Sequence, residues 1–258
     1  MKLPVARIWE NGLPGDTEKR LRRILETNGR EKKTEVFFRA DDIGRPGPQW
    51  RRMMELFSAH DAPLCLAVVP QWLERDGVRA MAEFEPDHPR WCWHQHGFSH
   101  VNHELQGKKC EFGDSRTRAE ISTDLDQGRE RLTSLLGDLF HPVFTPPWNR
   151  CSSLTIELLR EKGYAALSRW TGAKPLASGI PDLAVNVDLH TRKETDLQQG
   201  WDALYAEMKK ALASGRMGIM LHHQRMNGQA FAFLDLLLTV LREQPGIEWR
   251  TFRTLGPV

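Results

Sequence analysis

The sequence carries almost no excess of one charge: 36 lysines and arginines stand against 34 aspartates and glutamates in 258 residues, a formal net charge of +2. The two signs are interspersed along most of the chain, so electrostatics gives no case for a nucleic-acid partner. The one basic cluster, Lys19, Arg20, Arg22 and Arg23, is interrupted by Leu21 and Leu25 at helical spacing and reads as a solvated helix face. Long apolar runs are also missing. The N-terminus has no apolar core of signal-peptide length, and the longest stretch near the C-terminus, 236–238, is broken by Asp235 and Thr239. No membrane span is expected, and the expected compartment is the cytoplasm. The four cysteines, Cys65, Cys92, Cys110 and Cys151, form no paired ligand motif, which fits reduced thiols better than a disulfide framework. Internal repeats and low-complexity linkers are absent. A chain of this length with 40% hydrophobic residues can bury a sizeable core. We expect one domain over 1–258, with 1–34 as an N-terminal helical extension.

Short apolar runs alternate with amphipathic segments. The runs 36–38, 64–69, 91–93, 142–144, 164–167, 183–187, 217–221 and 247–249 read as strands, and 49–59, 71–83, 116–136, 153–162, 199–213 and 230–243 carry helical spacing. Asp114-Ser115 is a candidate cap for the long helix, Gly163 a stop for the next, and Pro245-Gly246 a stop for the last. The Gly-, Pro-, Ala- and Ser-rich stretch 172–182 reads as a loop. Strands separated by helices pair in parallel through right-handed crossovers. Polar residues follow directly on five apolar runs: Asp41-Asp42, His94 to His100, Pro146 to Asn149, Asp188 to His190, and His222-His223. A barrel would gather those strand ends at one rim, which favours a barrel over a doubly wound sheet.

Residues 94–103, HQHGFSHVNH, hold four histidines next to a tryptophan-rich run. His96 and His100 have the spacing of a metal-binding pair, and Asp41-Asp42 offers the carboxylate such a pair lacks. Two imidazoles and a carboxylate leave positions open on a divalent metal, which points to hydrolysis rather than a structural ion. Zinc is the first expectation, with cobalt, nickel and manganese also accepting this set. Neighbouring side chains on a regular strand point to opposite faces, so Asp41 and Asp42 share a site only if the backbone turns, and Gly44 followed by Pro46 is the expected turn. A strand-end Asp-Asp also serves as an ordinary turn and helix cap. His94 and His103 read as support or packing.

The order Asp-Asp-x-Gly, His-x-x-x-His, Pro-Pro-aromatic, Asp and Leu-His, from about Val36 to Phe252, resembles the polysaccharide deacetylases of the NodB-homology type, the family-four carbohydrate esterases. The resemblance implies an α/β fold, a distorted (β/α) barrel of seven or eight mostly parallel strands, with a divalent metal and hydrolysis of an N-acetyl or related amide. It places Asp41 as general base, and Asp42, His96 and His100 as metal ligands. It places the backbone amide of Trp148 as oxyanion donor, His222 as the acid that protonates the leaving amine with Leu221 lining the acyl pocket, and Asp188 as the aspartate that orients the histidine. Three departures stand out. Thr145 occupies the place of the family's loop arginine, leaving Arg39 or Arg150 as substitutes. His223 stands where many relatives have aspartate, and the tryptophan expected after Asp188 is missing, with His190 or Trp170 as loose stand-ins.

The expected activity is metal-dependent removal of an acyl group from a small-molecule or oligosaccharide substrate. The alternatives are an amidohydrolase acting on a non-carbohydrate amide, since fold does not fix substrate, and a metal-binding protein without catalysis.

Overall fold

The computed structural model describes residues 3–26 and 33–255. Residues 1–2 and 27–32 of the expected N-terminal extension lie outside them. Within that extension a single helical turn, Arg7–Trp9, precedes helix α1 (Thr17–Glu26). The chain groups into two compact units, each assembled from separated stretches of sequence, and the boundary falls inside strand β1 (Thr34–Ile43).

The first unit comprises residues 1–40, 47–64 and 186–250. It holds α1, most of β1, α2 (Pro48–Ala59), β6 (Val187–Asp188), α6 (Leu197–Ser214), β7 (Arg216–Leu221), α7 (Gly228–Arg242) and β8 (Ile247–Trp249). Its strands lie in the order β8-β1-β7-β6 and pair in parallel, Glu35 opposite Arg216 through Ala40 opposite Leu221, and Val187 opposite Ile219. β1 is buried along nearly its whole length, as parallel strands covered on both faces are. Trp9 is fully buried here against Trp201 and Phe233, and its indole N–H donates to the Leu189 carbonyl at 2.7 Å.

The second unit comprises residues 41–46, 65–185 and 251–258. It holds β2 (Leu64–Val68) from residue 65 on, α3 (Arg75–Ala82), β3 (Trp91–His96), α4 (Arg118–Leu136), β4 (Phe140–Thr145), α5 (Ser153–Glu161) and β5 (Ala166–Leu167). Strand order is β5-β4-β3-β2, and the β3–β4 and β4–β5 pairings are parallel. The β3–β4 register slips between His94 and Gln95, which sets His96 opposite Thr145. A cluster around Phe112, Ile121, Leu125, Phe144, Leu159 and Leu167 fills the space under α4 and α5.

Seven of the eight expected strands and all six expected helices form, with shifted ends. β1 runs past its apolar run to include Asp41 and Asp42. α3 begins at Arg75 because the guanidinium of Arg131 takes the carbonyls of Pro70 and Leu73, at 2.7 and 2.8 Å, and only a single helical turn forms at Pro70–Trp72. Of the 183–187 run, only Val187 falls in a strand, β6, and Val185 makes a single bridge to Trp170. Asp114-Ser115 does not cap α4. Thr117 does, in a reciprocal capping box with Glu120 that satisfies two otherwise orphaned N–H groups. Replacing Thr117 with Ala is expected to lower stability by about 1 kcal/mol, measured by chemical denaturation, with the helix otherwise intact.

Candidate metal centre and its surroundings

Asp42 supplies the backbone turn itself. Its φ of 63° is left-handed, a conformation uncommon for a residue other than glycine, and it breaks the strand alternation between Asp41 and Asp42. The turn therefore comes two residues before Gly44. Gly44 instead permits a close approach, since a Cβ there would lie 2.8 Å from Cβ of Trp72, and its absence lets the two segments touch. Asp41 and Asp42 are both buried, at 3% and 7% exposure.

Asp42, His96 and His100 come together as expected, with candidate ligand atoms all within 4.8 Å of one another. Asp42 Oδ1 lies 3.4 Å from Nε2 of His96 and 3.1 Å from Nε2 of His100. Both imidazoles thus present the same nitrogen to one carboxylate oxygen. Nδ1 of His96 is 2.9 Å from the Thr145 carbonyl, which can only accept. That contact puts the ring proton on Nδ1 and leaves the Nε2 lone pair for a cation, the arrangement of metal-bound histidines. Burial acts to lower the His100 pKa, but the hydrogen bond and charge of Asp42 outweigh it and the net shift is upward. The donor set and its orientation fit a divalent cation such as zinc, cobalt, nickel or manganese.

The loop that carries His100 hangs on a group the sequence pattern did not reveal. Glu111 is fully buried, and its Oε1 accepts from the amides of Ser99 and His100 at 2.7 and 3.0 Å and from the Ser99 hydroxyl at 2.8 Å. The Phe98 amide reaches both of its oxygens at 3.3 Å. Gly97 makes the room: at φ 56° a Cβ there would lie 2.1 Å from Oε2 of Glu111. From the other side, Gln95 donates to the Gly97 carbonyl at 3.0 Å and accepts from the Tyr164 hydroxyl at 2.6 Å. His100 itself sits at φ 60°, so the ligand is held in a conformation the free chain would rarely choose.

His94 is buried, with Nε2 2.9 Å from the Thr145 hydroxyl and its ring edge-on to Phe252, in the supporting place expected of it. His103 gives its backbone N–H to the Cys110 carbonyl. Trp148 follows Pro146-Pro147 at φ 56°, and its ring lies 4.6 Å from that of His100. Arg150 donates to the Lys109 carbonyl at 3.0 Å. Burial pushes the Cys110 thiol up to about 11 and the Cys151 thiol up to about 12, which removes both as nucleophiles at neutral pH.

His222, Asp188 and Arg39 belong to the first unit. Arg39 is buried, with its guanidinium 3.2 Å from the Met220 sulfur. His222 follows β7, and its backbone N–H donates to Nδ1 of His190 at 3.1 Å. The Asp188 carboxylate accepts from the amides of His190 and Thr191, both at 2.9 Å, and from the Thr191 hydroxyl. Asp188 therefore meets His222 through His190. Burial above all, then the charges of His222, His223 and Arg225, hold the His190 pKa well below its ordinary value. A neutral ring is what its acceptor role requires.

No family model matches this chain, and no curated protein matches it. Solved structures do. A protein assigned as a polysaccharide deacetylase from Mycobacterium smegmatis matches at a TM-score of 0.61 and 16% identity over 86% of this chain and 89% of that one. A family 4 acetyl xylan esterase from Clostridium thermocellum, in complex with a cobalt ion, matches at 0.56 and 12% over 85% and 88%. A family 4 carbohydrate esterase pseudoenzyme from Bacillus anthracis matches at 0.51 and 13% over 84% and 63%. At these identities the likeness establishes the fold, the α/β distorted (β/α) barrel of the deacetylases, with parallel strands as the sequence led us to expect. Among the described residues no helix is long and apolar enough to cross a membrane.

Two outcomes are expected from these contacts. Glu111→Gln would set an amide NH2 against backbone donors, and metal affinity measured by equilibrium dialysis should fall about 10- to 100-fold, the usual effect of removing a group that orients a ligand. For His190, the folded pKa lies below the unfolded value of 6.5, so the unfolded chain binds more protons on acidification. Its contribution is fully present above about pH 6.5 and is lost as the pH falls, by at most about 1.4 kcal/mol per unit. His190→Gln, which keeps an acceptor and does not titrate, should flatten the fall of the thermal midpoint below that pH. Parallel slopes in the two proteins would dismiss His190 as the cause.

Proposed function

We propose that this chain is a metal-dependent hydrolase that removes an N-acetyl or related acyl group from a carbohydrate, as a member of the polysaccharide deacetylase family. The observation that carries the reading is the Asp42, His96 and His100 cluster with a second buried carboxylate, Asp41, next to it in sequence. A structural ion would have no use for that second carboxylate.

A divalent metal, zinc first, held by Asp42, His96 and His100 would polarise the acyl carbonyl and acidify water towards a pKa of about 7. Asp41 is assigned the proton that the attacking water gives up. The amide N–H of Trp148 is assigned to the oxygen that gains charge as the carbonyl becomes tetrahedral, a role a backbone donor keeps whatever its side chain. His222 is assigned the proton delivered to the departing nitrogen, with Leu221 beside it for the acyl methyl group. Asp188 would support His222 through the contacts of its carboxylate with the turn at His190.

Four buried cysteines, none in a disulfide, are in keeping with cytoplasmic work on a soluble N-acylated sugar or oligosaccharide. A second reading, metal binding without catalysis, draws on Thr145 in the arginine position and on the pseudoenzyme among the structural matches. Asp41→Asn separates the two. Turnover of N-acetylated sugars by metal-loaded protein should drop at least about 100-fold with metal content unchanged, the scale of a lost general base. Acetate release equal to that of the parent protein would sink the assignment of Asp41, and metal content without acetate release from any sugar or simple amide, in the parent protein, would leave the non-catalytic reading standing.

A further inference from the structure

Beside the candidate metal centre lies a feature with no part in the chemistry assigned above. Arg45, three residues after Asp42, is exposed, and its guanidinium carbon lies 4.7 Å from the centre of the Trp72 ring. The Trp72 ring lies 5.4 Å from that of His100. A cation, an aromatic face and a metal ligand thus adjoin one another in turn. Each part is held in place. Gly44, at φ 148°, allows the 42–46 segment to meet Trp72 closely, and Gln71 gives its amide to the Phe98 carbonyl at 3.0 Å on the loop that carries His100. Trp72 and Trp148 are both half-buried, so each keeps part of a ring open beside His100.

Three arginines of this unit are ion-paired, Arg116 with Asp124, Arg118 with Glu157 and Glu161, and Arg169 with Asp182. Arg45 has no carboxylate within ion-pair distance among the described residues, and its guanidinium rests on the tryptophan face. A guanidinium stacked on an indole keeps its N–H edge outward, in a planar fork that matches a carboxylate or a phosphate. A span of three residues is at most about 10 Å of chain, within reach of a substituent on the sugar whose acyl group is at the metal centre.

We propose that Arg45 and Trp72 form a subsite for an anionic group, a carboxylate or a phosphate, on the sugar that carries the acyl group. The inference rests on the deacetylase reading and narrows its substrate class to acidic N-acylated sugars. Trp72 holds the guanidinium against its ring, and Arg45 takes the anion.

The test compares acetate release by metal-loaded protein from N-acetylglucosamine, N-acetylglucosamine 6-phosphate and N-acetylmuramic acid. At least one of the two acidic sugars should exceed the neutral one about tenfold or more in kcat/KM, chiefly through KM, and which of them leads tells phosphate from carboxylate. Arg45→Ala should erase most of that gap, Arg45→Lys should restore part of it, and added salt should narrow it in the parent protein. Calorimetric titration of the same sugars into metal-loaded Asp41→Asn, with and without Arg45→Ala, reads binding apart from turnover. Equal kcat/KM for neutral and acidic sugars would overturn the subsite and leave the deacetylase reading intact. Acidic sugars that bind in an Arg45-dependent way, with no acetate released by the parent protein from any of the three, would uphold the subsite and count against the deacetylase reading. No binding of either acidic sugar together with no turnover would overturn both.

Discussion

Asp42 is held almost out of water within reach of two imidazole nitrogens, and the surrounding backbone has to keep it there. An isolated buried carboxylate is several kcal/mol uphill, so in a pliant frame it would turn outward or take a proton. The frame is stiff because it is fixed from several sides at once. The left-handed turn at Asp42, the Thr145 carbonyl against His96, and the Glu111 carboxylate under the His100 loop each fix one arm of the cluster. Glu111 is itself a buried carboxylate, but one with its hydrogen-bonding needs met by backbone and hydroxyl donors. One buried carboxylate is thereby used to shape the loop beside another, in the candidate metal centre.

The first unit uses neutrality where the second uses charge. His190 is buried, accepts the His222 amide, and is held well below its ordinary pKa by burial and by the histidines and arginine near it. A protonated ring could not accept that N–H, so one condition, a neutral His190, keeps the backbone of His222 in place. Trp9 adds to the same turn through its hydrogen bond to the Leu189 carbonyl, so a residue near the N-terminus helps set a strand end far along the chain.

The strands and helices were legible because apolar periodicity reports burial, and burial is what the fold conserves along each element. Of the site, His96, His100 and the Asp41-Asp42 pair could be grouped from donor chemistry and spacing, the resemblance picked out Asp42 as the ligand, and Asp42, His96 and His100 come together. Glu111 could not be found that way. It is one acidic residue in a polar stretch, and its four donors, Phe98, Ser99 (amide and hydroxyl) and His100, are a dozen residues away with no periodic relation to it. Gly97 was the available signal, since a glycine beside a ligand histidine marks a close approach, but a sequence does not say of what. The turn was expected at Gly44 because glycine is the usual mark of positive φ, whereas a non-glycine residue forced there by tertiary contacts leaves no such mark.

Thr145 bears on whether the chain is an enzyme. Its carbonyl takes the ring N–H of His96 and the amide of Gly97, and its hydroxyl meets His94, all in a fully buried position. An arginine there would have to place a guanidinium among His94, Phe252 and the β3 backbone, so the position is built into the support of His96, a candidate ligand. Thr145 is thus part of the packed interior and of the support of His96. Asp41 points the same way. In a chain that only binds metal, a second buried carboxylate beside Asp42 would be a liability, because replacing buried ionic groups by apolar side chains is often neutral or stabilising. Asp41 lies in a strand buried along nearly its whole length, and the proton transfer proposed for it would give a carboxylate there a use.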